Sequence, residues 1–183
     1  MIIQKNIETE QLQLRNITLN DDLKNYKDWL TDESINKFLE IRLNLPKSVA
    51  ELQDFVTSVN NSNDSIIFGI FHKKSDTHIG NIKLGPINWH HKVSEMGLLI
   101  GDKSYWGKGY ATEAIGLVSS YAFETLNLFK VTAGCYESNV GSLKAFLKDD
   151  FKEEGRLHKQ WISEGRREDG VLLGKINPIF DLD

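Results

Sequence analysis

The stretch Gly97–Ala114, GLLIGDKSYWGKGYATEA, decides how this chain is read. An apolar strand ends at Ile100, a loop carrying Gly101, Gly107 and Gly109 follows, and an amphipathic helix starts at about Tyr110. Ala111, Ala114, Ile115, Val118, Ala122 and Leu126 recur every three or four residues along it, so one helical face is apolar. A strand, a glycine loop and a helix start in immediate succession aim unpaired backbone N–H groups and the positive end of the helix dipole at one spot, which is how folds bind phosphate. Lys108 can add a point charge. The P-loop needs four residues between its glycines and then Lys-Ser/Thr, and Gly107-Lys108-Gly109-Tyr110-Ala111-Thr112 has neither. The dinucleotide fingerprint needs further glycines in a βαβ unit near the chain start, which are also missing. The residues therefore predict an anion site of another kind.

Upstream, Ile66 to His72, His78 to Leu84 and Val93 to Ile100 are short β-rich runs separated by turn residues, which predicts an antiparallel meander. Before them come a strand near Leu12 to Ile17 and two helical faces. Leu23, Tyr26, Trp29 and Leu30 mark the first, and Val49, Leu52, Val56 and Val59 the second, with Ser48 placed to cap it. Downstream follow a strand over Phe129 to Tyr136, a helix with Val140, Leu143, Phe146 and Leu147 inward, and closing strands near Phe151 and over Val171 to Ile176. The charge run Arg166 to Gly170 reads as a solvated hairpin turn. The order β, α, α, three β, α, β, α, β, β predicts a mixed α/β fold with helices packed on a sheet.

Composition sets bounds on function. A chain of 183 residues fits one domain, spanning 1–183, with the motif-bearing part at about 65–155. Lys plus Arg total 22 against 26 Asp plus Glu, a formal net charge of −4, which argues against general nucleic-acid binding. A lone Cys135 excludes an intramolecular disulfide and a multi-cysteine zinc site. The pair His90–His91 lacks further ligands at metal-site spacing, so no metal is expected. The first residues show no basic start followed by an apolar core, and no apolar run approaches the roughly 20 residues of a membrane span. A cytoplasmic protein without membrane contact is the expectation.

Three motifs in order give a sharper reading. Glu95-Met96-Gly97, Trp106-Gly107-Lys108-Gly109-Tyr110-Ala111 and Asn139-Val140-Gly141-Ser142 resemble the GNAT superfamily of N-acetyltransferases, whose pyrophosphate loop reads Q/R-x-x-G-x-G/A between a strand and a long helix. The branch they look most similar to is the ribosomal-protein N-terminal acetyltransferases. The resemblance implies a central, mostly antiparallel twisted sheet with helices on both faces. It also implies a bulge that splays the strand over Val93–Ile100 from the strand over Phe129–Tyr136. Acetyl-CoA would be the acyl donor, and a primary amine of a small molecule or a protein N-terminus the acceptor, with a homodimer as the expected assembly. Two positions depart from the pattern. Trp106 stands where Gln or Arg is usual, and Asp149-Asp150-Phe151 replaces a Gly-Phe, which implies altered backbone geometry and a carboxylate near the cofactor.

Roles follow from residue chemistry and from the resemblance together. Gly107, Gly109 and Ala111, with Trp106, Lys108, Tyr110 and Thr112, form the expected pyrophosphate loop. The backbone of Leu98, Leu99 and Ile100 is implied to pair with the pantetheine arm like an added strand. Glu95 is the one carboxylate on an otherwise apolar strand, and it is either a general base or an orienting, salt-bridged group. Asn139 suits a helix N-cap, and the resemblance adds a bond to the pantetheine arm. Ser142 is the first candidate for general acid and Tyr136 the second. Cys135 reads as a small buried residue and not as a nucleophile. Trp29, Phe38 and Trp89 are implied as acceptor-pocket walls, with core packing the alternative for Trp29. A non-catalytic acyl-CoA-binding module and a nucleotide hydrolase are the competing classes.

Overall fold

Period-two burial builds one sheet, and helices whose apolar stripes match its two faces close over it. The computed structural model describes residues 1–180. It begins with β1 (Ile7–Glu8), β2 (Leu12–Asn16), α1 (Leu23–Thr31), a short α2 (Glu33–Asn36), a 3-10 turn at Glu40–Leu43 and α3 (Val49–Asn61). Then come β3 (Ile66–His72), β4 (Thr77–Asn88), β5 (Val93–Ile100) and a 3-10 turn at Lys103–Tyr105. The chain continues through α4 (Tyr110–Ser120), which runs into a π turn at Tyr121–Thr125, then β6 (Lys130–Tyr136), α5 (Val140–Lys148), β7 (Lys152–Ser163) and β8 (Arg166–Ile176). The strands lie in the order β1-β2-β3-β4-β5-β6-β8-β7. Every neighbouring pair is antiparallel except β5 and β6, which run parallel.

Strand β3 shows why both faces are covered. Its Ile66, Phe68 and Ile70 enter the larger core with Ala114, Ile115 and Val118 of α4 and Phe146 of α5. Ile67 points the other way, into a second core with Leu23, Tyr26 and Leu30 of α1 and Leu52 and Val56 of α3. Each large apolar side chain so buried contributes about 1.5–3 kcal/mol. The caps also match the sequence: Ser48 accepts from Glu51 N at 3.2 Å and starts α3, and Asn139 accepts from Ser142 N at 3.2 Å and starts α5. Among the described residues, no helix is long and apolar enough to cross a membrane.

Two expectations change. The closing strands are far longer than their apolar residues suggested, and the charge run Arg166 to Gly170 lies within β8, since the turn is at Glu164–Gly165, where φ is 49° and 75°. An edge ribbon can keep one face in water, so charged side chains there do not prevent pairing. Asp150 takes φ +63°, the left-handed conformation that glycine favours, so the expected change in backbone geometry does not occur.

Candidate active site

The glycine loop is an open cradle. Asp102 caps the 3-10 turn by accepting from Ser104 N at 2.9 Å, and Trp106 Nε1 donates to Ile100 O at 2.8 Å, tying the loop to the end of β5. Gly107 and Gly109 have φ of +70° and +90°, and a Cβ on either would meet nothing within 4 Å. Gly109 is the N-cap of α4 and provides no side-chain cap, so the first-turn N–H groups of the helix are free to take an external acceptor. They open into a cleft of about 520 Å³. Leu98, Leu99, Ile100, Trp106, Gly107, Gly109, Tyr110, Ala111 and Thr112 line it, together with Asn139, the N-cap of α5, and Ser142 in its first turn. Lys108 does not line it; its Nζ lies 5.6 Å from the Tyr105 ring centroid. Instead Lys37, Lys144 and Lys148 bring cations to the walls. The i, i+4 spacing of Lys144 and Lys148 on α5 is the signal that could have found two of them.

Behind this cleft the sheet opens. β5 and β6 pair only at Val93↔Lys130, Ser94↔Val131 and Glu95↔Thr132. Lys92 O accepts from Phe129 N at 2.7 Å and Ser94 O from Thr132 Oγ1 at 3.3 Å, so these carbonyls face β6. Strand alternation puts the backbone of Met96, Leu98 and Ile100 on the same side, where β6 no longer follows. Trp106 takes the Ile100 carbonyl, and Met96 and Leu98 are left facing the gap. The expected bulge lies on β4: Leu84 pairs with Met96 and Ile87 with Ser94, so Gly85 and Pro86 together oppose Glu95.

On the far side of the gap is a second cavity of about 740 Å³. Phe38, Leu39, Leu98, Leu99, Asn139 and Ser142 line both spaces, which therefore meet through the splayed strands. Glu95 projects into the second cavity with Tyr136 and Trp161. Tyr136 is buried between Trp161, at 4.7 Å, and Phe38, at 5.6 Å, and its hydroxyl accepts from Arg42 Nη2 at 2.8 Å. Ser142 Oγ stands 3.3 Å from Cys135 Sγ, and burial pushes the Cys135 thiol pKa up, which keeps it protonated and inert. Arg42 and Trp161 were invisible to a reading by motif, because each reaches this site from a distant segment.

The acetyltransferase (GNAT) domain matches residues 11–152. The chain belongs to the GNAT acetyltransferase family. Uncharacterized N-acetyltransferase p20 of Bacillus licheniformis is 29% identical over 162 residues, covering 86% of this chain and 88% of that one. The spermidine N(1)-acetyltransferase of Vibrio cholerae is 31% identical over 91 residues, covering 50% of this chain and 52% of that one. A crystal structure of spermidine N-acetyltransferase from Vibrio cholerae in complex with CoA and spermine superposes with a TM-score of 0.82 at 24% identity, covering 92% of this chain and 97% of that one. The protein is thus an acetyl-CoA-dependent acyltransferase, which sets aside the non-catalytic and nucleotide-hydrolase alternatives.

In this GNAT acetyltransferase two of the expected pocket walls lie elsewhere. Trp29 is 6% exposed and belongs to the core under α1, where a side chain at Gly101 would collide with its ring. Trp89 is 46% exposed beside the β4–β5 turn, and its Nε1 donates to Asn63 O at 3.0 Å. Neither lines either cavity, whereas Phe38 lines both. Neither Asp149 nor Asp150 lines the cleft beside α4. Asp149 accepts from Ser119 Oγ at 3.0 Å and from Lys175 Nζ at 2.9 Å, and so joins α5 to α4 and β8.

Proposed function

We propose that this enzyme transfers acetyl from acetyl-CoA directly to a primary amine of a positively charged acceptor, within a ternary complex. The observation that carries this reading is the meeting of two cavities at one gap in the sheet, bordered by Leu98, Leu99, Asn139 and Ser142. The pyrophosphate sits on the N–H groups of Tyr110, Ala111 and Thr112, in the cradle of Gly107 and Gly109, with Trp106 bracing the loop. Lys37, Lys144 and Lys148 supply charge along the cleft wall, and Lys108, which does not line it, adds only to the field around the loop. The pantetheine arm pairs with the free backbone of Leu98 in the manner of an added strand, flanked by Leu99 and Ile100 and bonded by Asn139, and the thioester reaches the gap. From the other side the acceptor nitrogen attacks the thioester carbon and the C–S bond breaks. The nitrogen's proton passes to Glu95, directly or through water, and Ser142 hydrogen-bonds and protonates the departing sulfur, with Tyr136 as the second donor.

Glu40, Glu51 and Glu95 outnumber the cations Lys83 and Arg42 around the acceptor cavity, with Phe38, Tyr136 and Trp161 as aromatic walls, and such a site suits an alkylammonium group. The likeness to a spermidine N-acetyltransferase supports an amine of this kind. A protein N-terminus, the acceptor of the ribosomal-protein branch, is supported by the Glu95-Met96-Gly97 and Asn139 to Ser142 motifs. The lone, buried Cys135 supports a reducing, cytoplasmic setting, and light scattering tests the homodimer. The deciding experiment measures thiol release from acetyl-CoA across polyamines, aminoglycosides, amino-sugar nucleotides and N-terminal peptides. Turnover confined to uncharged or acidic amines refutes the cationic acceptor, and silence across the panel refutes the transfer.

A further inference from the structure

Beneath the acceptor cavity lie polar atoms that the fold leaves without partners. Asn81 is only 4% exposed, yet its Nδ2 makes no hydrogen bond among the described residues, and neither does the buried Nδ1 of His78. Buried polar atoms in folded proteins are nearly always paired, so such a pair of exceptions calls for a physical reason.

The cluster is ordered from the inside outward. The His78 ring is stacked on Phe71 at 4.7 Å and met edge-on by Trp29 at 4.9 Å. Burial lowers its pKa, so the ring is neutral at pH 7. Its Nε2 lies 3.0 Å from Gly80 O and 2.9 Å from Asn81 Oδ1. Both are oxygens, so Nε2 carries the proton and donates, and the Asn81 amide is oriented with its oxygen towards His78 and its NH₂ away. That NH₂ approaches the hydroxyl of Tyr26 on α1 without closing a hydrogen bond. Burial holds the Tyr26 pKa well above the ordinary phenol value, so the hydroxyl keeps its proton. Tyr26 and Asn81 both line the acceptor cavity. Just beneath its floor an N–H and an O–H therefore lie side by side, and the group that complements two donors is an oxygen lone pair.

We propose that Tyr26 and Asn81 form an oxygen subsite in the acceptor cavity, which selects amines that carry a carbonyl or hydroxyl oxygen close to the reacting nitrogen. The placement follows from register. Asn81 pairs with Leu99, and Leu99 borders both cavities. Neighbouring strands lie about 4.8 Å apart, so an oxygen held there is only a few bonds from a nitrogen in the gap. An α-amino amide or a vicinal amino alcohol has that spacing, and a simple alkyl diamine offers no such oxygen. A site that hydrogen-bonds a substrate group discriminates strongly against the analogue lacking it, because its own donors are then left unpaired. The inference rests on the reading of the second cavity as the acceptor site.

Two matched pairs of acceptors test it: 1,3-diamino-2-propanol against 1,3-diaminopropane, and alaninamide against isopropylamine. The ratio of kcat/KM within each pair is measured for the wild type, Tyr26→Phe and Asn81→Leu. Differences in amine basicity cancel when the ratios are compared between proteins. The expected wild-type ratio, oxygen-bearing over plain, exceeds that of each variant by tenfold or more, with KM for acetyl-CoA unchanged. Asn81→Leu removes a buried unpaired donor but also the Oδ1 that accepts from His78 Nε2, which keeps only Gly80 O, so a retained acetyl-CoA thermal shift in this variant is the control that separates a lost preference from a folding defect. Turnover with ratios equal within twofold in all three proteins overturns the subsite and leaves the acetyl transfer standing. No turnover on any amine overturns the acceptor cavity itself, and the subsite with it.

Discussion

A carboxylate placed at Gly109 separates folding from cofactor binding. The residue lies at φ 90°, ψ −7° as the N-cap of α4, and a Cβ there meets nothing within 4 Å. The cost of Gly109→Glu to the fold is then the left-handed backbone alone, about 1–2 kcal/mol. The cost to binding is larger. A carboxylate about 5 Å from a diphosphate of charge about −2 is repelled by about 6–7 kcal/mol at an effective dielectric of about 20, and less than half of that raises Kd by about 10². Thermal unfolding reads both terms. At acetyl-CoA about 100 times the wild-type Kd, binding adds about 2.7 kcal/mol, or roughly 5–11 °C in Tm for a chain of this size. The variant at the same concentration gains about 0.4 kcal/mol, roughly 1 °C. Gly109→Ala carries the strain without the charge and falls between the two. A Gly109→Glu protein whose Tm still rises by 5 °C or more with acetyl-CoA refutes the assignment of the pyrophosphate to this loop.

Three further outcomes are expected. Glu95→Gln lowers kcat by about 10² or more while the acetyl-CoA thermal shift persists, the usual scale for a lost general base, and an unchanged kcat removes Glu95 from that role. Asn139→Ala loses the α5 cap and about 1 kcal/mol of stability, whereas Ser142→Ala keeps the cap, because Asn139 bonds the Ser142 backbone, and slows turnover within ±0.5 kcal/mol of wild-type stability; urea midpoints and steady-state rates on both proteins check this. Burial pushes the Asp21 carboxyl pKa up, but hydrogen bonds from Arg15 and Thr18 outweigh it and hold the pKa below the usual range. That stabilisation is complete above the unfolded value of about 3.9 and is lost as pH falls through the lower folded value. Arg15→Met therefore costs about 1 kcal/mol at pH 7, and in urea titrations the gap to wild type narrows below about pH 4; a gap that is constant down to pH 2 contradicts it.

Local signals were legible, and long-range ones were not. The Ala111 to Leu126 stripe and the glycine loop can be read directly, because helical periodicity and left-handed glycines are properties of neighbouring residues. The length of β7 and β8 could not be read, since their polar alternation is stabilised by pairing with each other and with β6, and Trp161 covers Gly134 and Gly170 from across that hairpin. Trp29 and Tyr26 sit on the same apolar face of α1, yet one packs under Gly101 and the other reaches the second cavity. The sequence of α1 does not distinguish them; the position of β5 relative to β4 does. Lys144 and Lys148 carried a periodic signal, but only the cleft between α4 and α5 gives it meaning.

Backbone accounting explains why chemistry can occur in the middle of this sheet. A buried strand must satisfy its N–H and C=O groups on both edges, and a sheet that opens leaves some of them without partners. Here the bulge at Gly85–Pro86 falls opposite Glu95, the last residue of β5 that β6 pairs, so the opening begins where the second cavity has its Glu95 carboxylate. Beyond it, Trp106 satisfies Ile100 O with its indole N–H, which an arginine or glutamine could also do but without the same apolar bulk against the loop. The departure from the family pattern at Trp106 thus closes one end of the open edge. What stays free is the stretch at Met96 and Leu98, between the uncapped N-terminus of α4 and the carboxylate of Glu95. An extended ligand with a polar backbone, a diphosphate at one end and a reactive acyl group at the other fits that gap in a single orientation, and acetyl-CoA is such a ligand.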